Sequence, residues 1–110
     1  MNAAVYALRP ATAPDQPVVP SPDARALALA RVVFVAQRTL DDGLPAEEVE
    51  DWTARRDLAT TRLLEHLDPA ADEATLTAGM ERVVMWLERA PRSPEHVLIY
   101  ARTLMLSAAA

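Results

Sequence analysis

Cysteine is absent from this chain. Disulfides, thiol catalysis and thiolate metal sites are excluded with it. A secreted domain of 110 residues often needs disulfide staples, so the absence points to the cytoplasm. Lysine is absent too: all 11 basic residues are arginine, against 16 acids, for a formal charge of −5. That balance argues against a surface that tracks phosphates, and so against direct nucleic-acid binding. Arginine with abundant alanine and no lysine is also the composition associated with GC-rich bacterial genomes. Glycine occurs twice, and Gly43 and Gly79 stand alone, so there is no glycine-rich phosphate loop. Long apolar runs are missing as well. The longest is interrupted by Arg102 and is too short to span a bilayer, so no membrane partner is expected. Near the N-terminus, Ala11-Thr12-Ala13 resembles a signal cleavage site, but a basic n-region is lacking and the apolar stretch Ala3 to Leu8 is too short.

What is present is alanine, leucine and arginine, a composition that favours helix over sheet. At this length one domain is expected. Five of the nine prolines fall between Pro10 and Pro22, which rules out helix or central strand there. Residues 1–20 therefore read as an extended or disordered arm, with Val5, Tyr6 and Leu8 near its tip; it is either a floppy tail or an arm that docks on a partner subunit. Residues 21–110 form the single helical domain.

Four helix starts and stops follow. Ser21-Pro22-Asp23 has a capping serine, a proline at the first helical position and an acid at the positive end of the helix dipole. This helix runs to Leu40 and stops at Asp42-Gly43. A second starts at Pro45-Ala46-Glu47-Glu48 and ends near Leu67, before Asp68-Pro69. A third covers about Thr75 to Arg89, closed by Pro91. Ser93-Pro94-Glu95 repeats the first signal, and the fourth runs to about Ser107. The expected fold class is all-α: a small antiparallel bundle of about four helices behind the proline-rich arm. The β-branched run Val32-Val33-Phe34-Val35 could be a strand, but it lies inside a long alanine- and leucine-rich pattern.

Helical wheels place the faces at about 100° per residue. In the first helix Leu29, Val32, Val33, Ala36 and Leu40 make a core stripe, and Leu27 and Phe34 lie opposite, beside Arg31 and Arg38. A phenylalanine between arginines outside the core reads as an interface anchor. In the second, Val49, Trp52, Ala59, Leu63, Leu64 and Leu67 share one arc with Arg56 in its middle. Arg56 either stacks on Trp52 and reaches water, or is held for a carboxylate on a partner. The third buries Leu76, Met80, Val83, Val84 and Leu87; Met85 falls on the wet side and Trp86 at the border. Off-stripe methionine and tryptophan are common in adaptable binding surfaces and also as harmless extras.

The fourth helix contains HVLIYARTLML, residues 96–106, in which eight of eleven residues are apolar. Val97, Ala101, Leu104 and Ala108 form one side; Leu98, Ile99, Met105 and Leu106 form most of the other, and Tyr100 fills a flank. A surface helix keeps one face wet, and one four-helix monomer has only one interior. Either this helix is the central one, or a second copy or a partner covers its far side. The expectation is a homodimer whose interface residues come from Leu27, Arg31, Phe34, Arg38, Trp52, Arg56, Met85, Trp86, Leu98, Ile99, Arg102 and Leu106.

Catalytic and metal chemistry find little support. Neither His66 nor His96 has a glutamate three residues before it, as bundle metal sites use. Ser21 and Ser93 are explained as helix caps, which leaves Ser107. The acids Glu47, Glu48, Glu50 and Asp51 read as a solvated first turn. Arg55, Arg56 and Arg62 lie on a helix that opens with a block of acids, unlike a recognition helix for DNA. No catalytic residue, cofactor or metal is therefore assigned. The functional expectation is a non-enzymatic regulator or adaptor that occludes a surface of another protein. In size, acidity and helicity the chain resembles the small antiactivators that sequester bacterial transcription regulators. The alternatives are a small ligand-binding or catalytic bundle, with Tyr100, Trp52, Arg56 and His96 around a cavity, and an assembly or phage-type structural subunit.

Overall fold

Proline and short polar links cut the chain into four helices, described in a computed structural model for residues 22–109. They are α1 (Pro22–Asp41), α2 (Ala46–Leu67), α3 (Glu73–Leu87) and α4 (Pro94–Ala109). The Val32–Val35 run is helical throughout. Both Ser21 and the arm lie outside the described residues. After α1 the chain turns at Gly43, whose φ of 91 is the left-handed conformation that glycine adopts without strain. Pro45 then precedes α2, and Asp68 closes it with its N–H on the Leu64 carbonyl.

The start of α3 lies two residues before the expected Thr75. Asp72 caps it: its carboxylate accepts from the Thr75 backbone N–H at 2.8 Å. Hydrogen bonds from the Thr75 hydroxyl, and then from its N–H, hold the Asp72 carboxyl below the ordinary carboxylate range. A lowered folded-state value means that the contribution is present above the unfolded-state value and is lost as pH falls through the folded one. Asp72→Ala should therefore lower the thermal midpoint at neutral pH, and the gap to wild type should close on acidification. A gap that stays constant into acid would mean that the cap does not act through the ionised carboxylate. The fourth start is as expected, with the His96 N–H donating to Ser93 Oγ at 3.2 Å.

Going round the bundle, α1 packs on α2, α2 on α3, α3 on α4 and α4 on α1, with α2 and α4 also meeting across the centre. Neighbours run antiparallel, as the contacts of the α3–α4 pair illustrate: Gly79 lies near Met105, and Trp86 lies on Tyr100. The core gathers Ala26, Ala30, Val33, Ala59, Leu63, Leu64, Val83, Leu87, Val97, Ala101 and Met105. Burial of these side chains drives the fold at about 25 cal/mol per Å² of apolar surface. Small residues line the close approaches. An added Cβ on Gly79 would sit 3.0 Å from Leu64 Cδ1. The hydroxyl of Thr60, fully buried, is satisfied by the Arg56 carbonyl at 2.8 Å. Among the described residues, no helix is long and apolar enough to cross a membrane.

Two faces differ from the wheel analysis. The buried arc of α1 is Ala26, Ala30, Val33, Ala36 and Gln37, turned by roughly 60° from the expected stripe. Val32, expected inside, is 51% exposed, while Phe34, expected outside, is half-buried against the core. The cause is that α1 is apolar around most of its circumference, so α2 and α4 together select the face. In α4, Met105 turns inward with Val97 and Ala101, and Ala108 turns out.

Candidate protein interface

The expected interface residues divide into four groups. The first is structural. Arg56 is buried, and it does not stack on Trp52. Its Nη1 donates to Gln37 Oε1 at 3.0 Å and its Nε to Asp57 Oδ1 at 3.0 Å. Gln37 is held in turn, with its Nε2 donating to Asp41 Oδ1 at 2.8 Å. This network joins α1 to α2, and the guanidinium is spent within the chain. Phe34 packs on the core with the Arg38 guanidinium 5.8 Å from its ring centroid, a geometry that favours the cation over the ring face. Leu98 packs against the core, and Leu27 is half-buried.

The second group lies on the outer side of the α1–α2 pair. Val32 and Val35 are 51% and 50% exposed, and with Ala28, Arg31, Trp52 and Arg55 they line a shallow groove. The residue that stacks on Trp52 is Arg55, its guanidinium 4.8 Å from the ring centroid, and the same group pairs with Asp51 at 3.1 Å. Toward the other end of the same helix pair a second shallow depression lies between Arg25, Leu29, Arg62, Glu65 and His66. Leu58 is exposed on α2 between Arg55 and Arg62.

The third group is the outer face of α4. Ile99 is 61% exposed and Leu106 69%. They are seven residues apart, two helical turns, with Arg102 between them. Arg102 reaches the first turn of α1, with Nη2 3.1 Å from Asp23 Oδ1. Among the described residues nothing covers Ile99 and Leu106 on the far side of HVLIYARTLML, although α4 contacts all three other helices.

The fourth group lies between α3 and α4. Trp86 and Tyr100 stack with ring centroids 4.4 Å apart and planes 2° from parallel. Met85 is exposed beside them, between Arg82 and Arg89. Near the other end of the same helix pair a cleft of ≈ 480 Å³ opens over Ala74, Ala78, Gly79 and Leu104, with Asp72 and Arg82 as its charged lining residues.

The constellation suggested for a ligand-binding or catalytic bundle does not assemble. Trp52 lies on the α1–α2 groove, Arg56 within the α1–α2 contact and Tyr100 on Trp86, while His96 is exposed at the start of α4 against Ser93. Among the described residues, no group of three or more histidine, aspartate or glutamate side chains is placed to hold a metal ion.

A wheel puts Val32 in the core stripe and leaves Val35 unassigned, because Arg31 and Arg38 are the only charges in the middle turns of α1, too few to fix its phase. Arg55 was also missed. Its position one residue before Arg56, on the wet side of α2 and three residues after Trp52, was the available signal. Comparison with protein-family models, with curated proteins and with solved structures returns no match for this chain.

Proposed function

We propose that the chain is a non-enzymatic regulator or adaptor that acts by covering a surface of another protein, and that it pairs with a second copy of itself through α4. The observation that carries this reading is the uncovered apolar stripe of Ile99 and Leu106. Contiguous exposed apolar patches are rare on monomers and mark contact surfaces. A two-fold axis would set the stripe against itself in an isologous contact. An antiparallel arrangement sets Ile99 of one copy against Leu106 of the other, and Leu106 against Ile99. The second apolar face, on α1 and α2, is then left for the protein whose surface is covered. An antiactivator that sequesters a transcription regulator in a bacterial cytoplasm is the setting that composition suggests.

Light scattering on a sizing column across a concentration series tests self-association. The expected result is a dimer for wild type. Leu106→Glu should weaken it by about thirtyfold, equivalent to the ~2 kcal/mol of a central interface residue. Helical content should not change, because Leu106 makes no part of the core. A wild-type monomer at every concentration would remove the self-association. A second reading, binding of a small apolar ligand, draws on the cleft between α3 and α4. It predicts a dye or fatty-acid titration that Ala78→Leu, at an exposed position in the cleft lining, abolishes and Leu106→Glu does not.

A further inference from the structure

We infer that the α1–α2 face is the docking site for an acidic amphipathic helix of a partner protein. The inference rests on the binding reading above and gives that partner its chemistry. Two packed antiparallel helices leave a groove along their outer seam, and a third helix fills such a groove with an apolar stripe at positions i, i+3 or i+4, and i+7. Here the floor is Ala28, Val32 and Val35 on α1 and Trp52 on α2. Ala28 to Val35 spans about 10 Å at 1.5 Å per residue, two turns of a docked helix.

Charge identifies the partner. The chain carries −5 overall, yet Arg25, Arg31, Arg55 and Arg62 border this one seam. Among the described residues, Arg55 pairs with Asp51, whereas Arg25, Arg31 and Arg62 form no ion pair with a carboxylate. Glu65 is the acid that lines the second depression beside Arg25 and Arg62. Arg31 flanks one side of the apolar floor, and Arg55 and Arg62 stand about 10 Å apart along the other. A helix with glutamates or aspartates bordering leucines meets both features: its stripe enters the groove and its carboxylates reach guanidinium groups on the rims. Nucleic acid matches the second feature but not the first, since Ala28, Val32 and Val35 give phosphates nothing to contact and the Trp52 ring already lies under the Arg55 guanidinium.

The test uses the full chain and a fluorescently labelled peptide of ~18 residues, about the length of α1. The peptide has leucines at helical spacing and glutamates on both borders of the stripe. Its controls are a scrambled peptide of the same composition, the same peptide with lysine for glutamate, and an oligonucleotide of similar charge. Fluorescence anisotropy should show saturable binding of the acidic amphipathic peptide alone, weakening as salt rises. Val32→Ser with Val35→Ser, and separately Arg31→Gln with Arg62→Gln, should each weaken it by about tenfold or more. Arg92→Gln, which removes one charge at the α3–α4 link, should leave it unchanged. All four positions of the paired variants are exposed, and circular dichroism checks that the helices persist. No saturable binding overturns the inference, as does equal binding of the scrambled or lysine peptide. Binding of the oligonucleotide that needs the arginines but not the valines also overturns it, in favour of nucleic acid. Light scattering on the same samples separates the two readings. A dimer that ignores the peptide sinks this inference alone, whereas a monomer that binds it removes only the self-association.

Discussion

Gly79→Leu should lower the stability of the bundle by about 3 kcal/mol, the upper end of what overpacking a core costs. Gly79 is buried on α3 where that helix meets both α2 and α4. A Cβ there would lie 3.0 Å from Leu64 Cδ1, 3.7 Å from Met105 Sδ and 3.9 Å from Leu104 Cδ2. Leu64 is fully buried and has nowhere to retreat. A leucine must therefore push α3 away from α2, and each contact of the shared interior weakens as the gap opens. Gly79→Ala separates crowding from backbone effects. Replacing a mid-helix glycine by alanine gains about 1 kcal/mol of helix propensity, and the strain on Leu64 offsets it, so this variant should lie within about 1 kcal/mol of wild type. Urea denaturation of both variants checks the pair. A Gly79→Leu protein as stable as wild type would mean that α2 and α3 do not approach this closely.

The second large effect is a recovery. Arg56→Met should cost about 2 kcal/mol, because it leaves the buried Gln37 Oε1 without its donor. Gln37→Leu should cost a similar amount by leaving the Arg56 guanidinium facing a methyl group. The double variant Gln37→Leu with Arg56→Met removes both polar groups and keeps the volume. It should return to within about 1 kcal/mol of wild type, since replacing a buried polar pair by packed apolar side chains is often neutral or better. The carboxylates released, Asp41 and Asp57, are exposed and half-buried, so water takes the place of their lost partners. The measurement is a double-mutant cycle by denaturant unfolding. Additive losses would mean that Gln37 and Arg56 do not act as a pair.

Local chemistry is legible in this sequence, and orientation is not. The boundaries at Pro22, Ala46 and Pro94 follow from proline and first-turn acids, which act within one turn of the chain and need no tertiary partner. The start of α3 lies two residues before Thr75 because Asp72 caps it, a signal as local as the others. Which side of α1 turns inward is a different kind of question. Ala26 to Ala30 and Val32 to Ala36 are apolar in every direction, so the hydrophobic pattern has no phase. Contact with both α2 and α4 decides it: the face containing Ala26 and Ala30, with little side chain to obstruct an approach, goes in and Val32 comes out. The same holds for Met105 and Ala108 on α4. The outward stripe of Ile99 and Leu106 was legible because α4 has more apolar residues than one interior can hold. Its extent depends on how α3 and α1 flank it. Gly79 looked like an isolated helix glycine and is a contact point, which only the positions of Leu64 and Met105 reveal.

The aromatic side chains also divide the molecule optically. Trp86 lies against Tyr100 with parallel rings, so its near-ultraviolet ellipticity arises from coupling across the α3–α4 contact and vanishes if those helices part. Trp52 sits under the Arg55 guanidinium on the opposite pair, where anything that settles over α1 and α2 displaces water from its ring and changes its emission. Replacing either indole by phenylalanine leaves a single tryptophan. Each half of the bundle can then be watched in its own variant without an added label, the α3–α4 half through circular dichroism and the α1–α2 half through fluorescence.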